Sequence, residues 1–171
     1  MMDGLKTKKV GRILLNMAES EQHKELKQRA VWYLWDKGCW VARAEVDCGY
    51  YGRYDAWGIK SNRETIGIEV KVSRADFRNN RQKEIRLHLA VNENNRGDIN
   101  SWIPANLNYI MCPKGMLQVE EIDENYGLLW YDLEKKRIQN KKQPKFIPMS
   151  DTQKLRIIMY LLSSKMNNIK I

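Results

Sequence analysis

An α/β (α+β) fold in one domain is what this sequence predicts, and three observations predict it. Amphipathic helical patterns stand near the start, in the middle and near the end of the chain. Period-two alternation marks the segments between them, and 43% hydrophobic residues with only 10 Gly and 4 Pro in 171 positions suffice to bury a core. With no repeat, low-complexity tract or Pro/Ser-rich linker, residues 19–171 read as a single domain and the basic residues 1–18 as a flexible arm.

Ser20 followed by Glu21 and Glu25 marks a helix start, Leu26, Ala30, Tyr33 and Leu34 form its apolar stripe, and Gly38 stops it. A helix over 20–37 is expected, with Trp32 and Trp35 in core positions. Residues 40–46 and 53–59 are β-rich and flank a Gly-Tyr-Tyr-Gly turn, so they read as two antiparallel strands. After a polar turn, Ile66, Ile68, Val70 and Val72 alternate with Gly67, Glu69, Lys71 and Ser73, giving a strand with one aliphatic face. Ser73 then caps a second helix, with Asp76 at the capping-box position and Phe77 and Ile85 as apolar contacts. Beyond a polar insertion lie strands at 108–112 and 127–133, and a last helix begins at Ser150. The expected order is α, three β, α, two or three β, α.

The formal charge of +9 suits a polyanionic partner. The basic residues cluster in 71–86 and 135–145, with the acidic stretch 120–132 between them. Three cysteines (Cys39, Cys48, Cys112) make no disulfide framework, and no apolar run is long enough to span a bilayer. Reduced thiols, a cytoplasmic location beside nucleoid or phage DNA, and no membrane partner are the expectation. No phosphate-binding loop, GxGxxG, CxxC pair or nucleophile elbow is present, and His88 between Leu87 and Leu89 reads as structural.

The chemistry that remains is carboxylates with a lysine. Glu69 and Lys71, two apart on a strand, share a face, and a hairpin partner can set Asp55 beside Glu69. Two carboxylates that close repel unless a cation lies between them, and hard oxygen donors select Mg²⁺ or Mn²⁺, with the Val70 carbonyl as a third ligand. Arg74, Arg78 and Arg81 recur at helical spacing beside this place and read as phosphate contacts. Tyr50, Tyr51 and Trp57 border the turn, where they either stack on a base or pack under the loop. The plainer alternative is an ordinary solvated strand face and helix face.

A first helix, Glu45, Arg53-x-Asp55, Glu69-x-Lys71 and a following helix resemble the PD-(D/E)XK nuclease superfamily core, although Tyr54 stands at that superfamily's Pro position. The stretch Ile68-Glu69-Val70-Lys71-Val72-Ser73-Arg74-Ala75-Asp76-Phe77-Arg78 is similar to that of MmcB-type DNA repair proteins, as are residues 109–113 and 126–129. The resemblance implies a restriction-endonuclease-like three-layer core, a central mixed sheet flanked by helices. It also implies an Mg²⁺- or Mn²⁺-dependent deoxyribonuclease with Asp55 and Glu69 as metal ligands and Lys71 near the scissile phosphate. Glu45 is then a further ligand or orients water, Glu25 or Glu21 is an auxiliary acid, and Arg53 joins the DNA contacts. Against this stands a catalytically silent nuclease-fold DNA-binding accessory protein, or a plain interaction domain. The oligomeric state stays open, a homodimer included.

Overall fold

The structure, a computed structural model, describes residues 20–47, 53–79, 105–152, 154, 155, 158 and 159. Helix α1 (Glu21–Asp36) begins where expected, with the Ser20 hydroxyl accepting the His23 N–H at 3.2 Å. It ends at Gly38, whose φ of +79° suits a residue without a Cβ. Leu26, Ala30, Tyr33 and Leu34 are buried as the stripe demands. Trp32 and Trp35 are not core residues: they are 59% and 48% exposed. At 3.6 residues per turn Trp35 falls opposite Leu26, so its apolar character says nothing about which way it faces.

Strands β1 (Cys39–Asp47), β2 (Arg53–Lys60), β3 (Thr65–Val70), β4 (Leu107–Pro113), β5 (Tyr126–Asp132) and β6 (Arg137–Lys142) form one six-stranded mixed sheet in sequential order. The pairs β1·β2, β2·β3 and β5·β6 are antiparallel, while β3·β4 and β4·β5 are parallel. Residues 74–79 are helical, and Ser73 Oγ accepts the Asp76 N–H at 3.1 Å, the expected cap. Helical residues follow Ser150 as well. The segment 137–142 carries three basic residues and one aliphatic, which hid its strand character; as an edge strand its charges also discourage pairing with a further chain.

Each face of the sheet is covered. On one face α1 packs Leu26, Ala30, Tyr33 and Leu34 against Ala42, Ala56, Ile66, Ile68, Val70, Tyr109 and Met111. On the other, Val46, Tyr54, Trp57 and Ala105 form one cluster with Met149 against it, and Ile110, Cys112, Leu117, Ile122 and Leu128 form a second that Phe77 joins. The architecture is α+β in three layers. Trp57 is fully buried, which removes it from the base-stacking candidates; Tyr50, Tyr51, Cys48, His88 and the 1–18 arm lie outside the described residues. Burial pushes the Cys39 thiol up to about 11 and the Cys112 thiol up to about 12, which keeps these two, the free cysteines among the described residues, protonated at neutral pH. Among the described residues no helix is long and apolar enough to cross a membrane.

Candidate active site

Strand alternation breaks on β1 and β2 around Glu45 and Asp55, two of the acidic residues of interest. On β1, Ala42 belongs to the helix-side cluster while Val46, four residues on, belongs to the opposite one. On β2, Ala56 and Tyr54 are divided in the same way although they are two apart. Between them lie Glu45 and Asp55, placed opposite each other by the pairs Ala44↔Ala56 and Val46↔Tyr54. Glu45 has a φ of +55°, a left-handed conformation that a side chain disfavours by about 1–2 kcal/mol. This twist presents Asp55 to α1 while Tyr54 points away.

Tyr54 is held firmly on the far side. Its ring lies over Gly67, where a Cβ would come within 2.7 Å of the ring carbons, and its hydroxyl donates to Asn108 Oδ1 on β4. Gly67 is therefore required by close approach rather than by its backbone angles. A tyrosine wedge thus fixes the backbone immediately before Asp55.

The register Ala56↔Ile68 places Asp55 opposite Glu69 when continued by one pair. Asp55 Oδ2 accepts the Val70 N–H at 2.8 Å, and Oδ1 lies 3.6 Å from Lys27 Nζ and 3.8 Å from His23 Nε2. Lys27 donates to Glu45 Oε1 at 2.7 Å, and Arg53 reaches Glu45 Oε2 at 3.1 Å. Lys71 follows β3 and is 5% exposed, its main-chain N–H bonded to Met111 O and its ammonium 3.4 Å from Glu69 Oε2. Asp55 and Glu45 are thereby brought together around Lys27, with Arg53 at the rim, while Glu69 and Lys71 pair with one another at the end of β3.

The carboxylates do not simply repel, as their spacing alone suggested. Lys27 stands beside Asp55 and Glu45, and Lys71 beside Glu69, so fixed cations already offset the anionic charge. His23 and Lys27 were missed in the sequence, yet a signal existed: at i and i+4 they lie on the same side of α1 as buried Leu26, Ala30 and Leu34. Polar side chains on an inward stripe need partners, and these have Asp55.

Other candidates lie elsewhere. Glu25 accepts from Tyr131 Oη at 2.8 Å and Lys136 Nζ at 2.7 Å, at the β5–β6 end of the sheet, and Glu21 pairs with Lys24. Arg74 makes a two-pronged pair with Glu121 at 2.5 and 3.1 Å, which draws it away from a phosphate role. Arg78 is exposed on the helical residues 74–79, and Arg81 lies outside the described residues.

Hydrogen bonding from Lys27 holds the Glu45 carboxyl below its ordinary range, and hydrogen bonding from Lys136 does the same for Glu25. A depressed carboxylate contributes stability that is fully present above the ordinary value of 4.5 and is lost as pH falls through the folded value. The urea midpoint is therefore expected to hold above pH 4.5 and to fall below it. Glu45→Gln should fall less steeply in that range; an identical acid profile would deny the Lys27 contact.

As to a cation, Asp55, Glu69 and the Val70 carbonyl offer hard oxygen donors, few in number, which suits Mg²⁺ or Mn²⁺ that keep several waters. Among the described residues no three His, Cys, Asp or Glu side chains gather where they could hold a metal ion. The donor chemistry fits, with water completing the shell and Lys27 and Lys71 as the charges a cation competes with.

No family model and no curated protein matches this chain. A solved protein of unknown function from Silicibacter pomeroyi is similar, with a TM-score of 0.64 over 89% of this chain and 91% of that one at 16% identity. At that identity the likeness shows the fold alone.

Proposed function

We propose that this protein is a metal-dependent nuclease that hydrolyses DNA phosphodiester bonds in repair, recombination or phage-type DNA processing. The observation that carries the reading is the register of β2 and β3, which continued by one pair sets Asp55 opposite Glu69, with buried Lys71 against Glu69, next to the positive-φ kink at Glu45. Strained backbone and buried charge are retained where chemistry needs them.

Asp55, Glu69 and the Val70 carbonyl would hold Mg²⁺ or Mn²⁺. When bound, such an ion lowers the pKa of water and shields phosphate charge. Lys71, desolvated and fixed by β3, stabilises negative charge that grows on a phosphoryl oxygen, and does so more strongly than an exposed lysine because little water screens it. Lys27 positions Asp55 and Glu45 relative to one another, and the Val70 N–H fixes which Asp55 oxygen stays available.

The rival, a silent DNA-binding module, is favoured by one observation: lysines already balance the carboxylates. Incubation with Mn²⁺ and a panel of single-stranded, nicked, branched and duplex DNAs separates the two. Cleavage that chelator abolishes supports the nuclease; retention of DNA without cleavage of any substrate supports the rival.

DNA binding is expected to weaken with salt at a log–log slope of about 0.7–0.9 per phosphate neutralised. Exposed Arg78, changed to Ala, should reduce the slope by about one contact, and Arg74→Ala by less because Glu121 holds that side chain. Equal slopes for wild type and Arg78→Ala would place this helix away from DNA.

A further inference from the structure

The exposed tryptophans of α1 are not scattered. Trp32 and Trp35 line a groove of about 840 Å³ between α1 and the edge strand β1, together with Lys24, Lys27, Gln28 and Arg43. The helical residues stand at positions 24, 27, 28, 31, 32 and 35, so the groove follows α1 for about 16 Å. Three basic residues line it, and the acid among the lining residues, Glu45, is tied to Lys27 and Arg53 at one end. At that end Lys27 also stands beside Asp55, so the groove opens onto the candidate active site.

We propose that this groove binds single-stranded DNA, with bases stacking on Trp32 and Trp35 and the backbone running past Lys24 and Arg43 towards Lys27 and Asp55. Large aromatic faces left open to water beside basic side chains are what unpaired nucleotides recognise. Bases inside a duplex have both faces covered by their neighbours and offer nothing to stack upon, so the groove selects single strands. A second copy of this chain suits it poorly, because two chains at +9 repel. The proposal deepens the hydrolytic reading, on which it rests for the strand's destination, while binding itself can be measured without cleavage.

The test is fluorescence anisotropy in chelator, with the full chain, a labelled oligothymidylate and a hairpin duplex of equal length. Wild type is expected to bind the single strand more tightly than the duplex, with quenching of tryptophan emission. Trp32→Ala and Trp35→Ala should each weaken that binding by about tenfold or more. Trp40→Ala, 74% exposed but outside the groove lining, should bind as wild type does. Unchanged binding by the Trp32/Trp35 double variant overturns the proposal, as does a preference of wild type for duplex. A wild-type mass in sedimentation that halves in the double variant also overturns it, showing the face to join two copies. Cleavage is scored separately with Mn²⁺: loss of stacking in a protein that cleaves nothing leaves the groove standing and removes the nuclease, and the converse pattern does the reverse.

Discussion

Glu69→Gln, Asp55→Asn and Lys71→Met are each expected to lower Mn²⁺-dependent DNA cleavage by about 10²–10³-fold or more, with the fold retained. Each substitution keeps shape and removes charge. Asn at position 55 still offers an oxygen to the Val70 N–H, and Met at 71 fills the buried volume that Ala would leave empty. The three do not act alike. Asp55→Asn and Glu69→Gln weaken the hold on a cation, so higher metal concentration should recover part of their activity. Lys71→Met removes charge from the phosphate side and should not recover. Single-turnover rates across a Mn²⁺ series, with circular dichroism as the fold control, read both the loss and this division. Undiminished turnover in any one variant would remove that residue from the site.

Trp57→Ala should destabilise the protein by about 3–5 kcal/mol, the range for truncating a large aromatic in a core. Trp57 is fully exposure-free and packs with Val46, Tyr54 and Ala105 on the face away from α1, two residues from Asp55. Its removal opens a cavity under the point where β1 and β2 twist. Trp32→Ala, in contrast, should change stability by less than about 0.5 kcal/mol, since a 59% exposed side chain away from the core gives up little. Urea denaturation of the two variants measures the difference. Comparable losses would mean that the tryptophans of α1 are covered in solution.

That contrast also marks where the sequence was legible. Periodicity located α1 and four of the first five strands within one or two residues, because each has a face that must be buried and a turn or cap that ends it, whereas β3 stops at Val70, short of the alternation that runs to Ser73. It could place Asp55 and Glu69 on adjacent strands for the same reason, but Lys71, expected on the same strand as Glu69, lies just past its end. Trp32 and Trp35 were misplaced because their apolar character was set above their position off the stripe of Leu26, Ala30 and Leu34. Periodicity could not show that Arg74 and Glu121, 47 positions apart, spend their charges on one another, or that Glu25 faces Tyr131. Lys27 was hidden because a lysine on a helix is ordinary until its stripe is compared with the buried one. The twist at Glu45 had no sequence signal, since glutamate gives no sign of a positive φ.

Asp55 and Glu69 are proposed to hold a divalent cation together, and thermal unfolding with and without millimolar Mn²⁺ tests this before any substrate is known. Binding to the folded state alone raises the melting temperature. Wild type is expected to show that rise, and Asp55→Asn and Glu69→Gln to lose it. Lys71→Met should show a larger rise than wild type, because the ammonium that competes for Glu69 is gone. Equal shifts in wild type and Glu69→Gln, or no shift in wild type and Lys71→Met alike, would mean that these two carboxylates hold no cation.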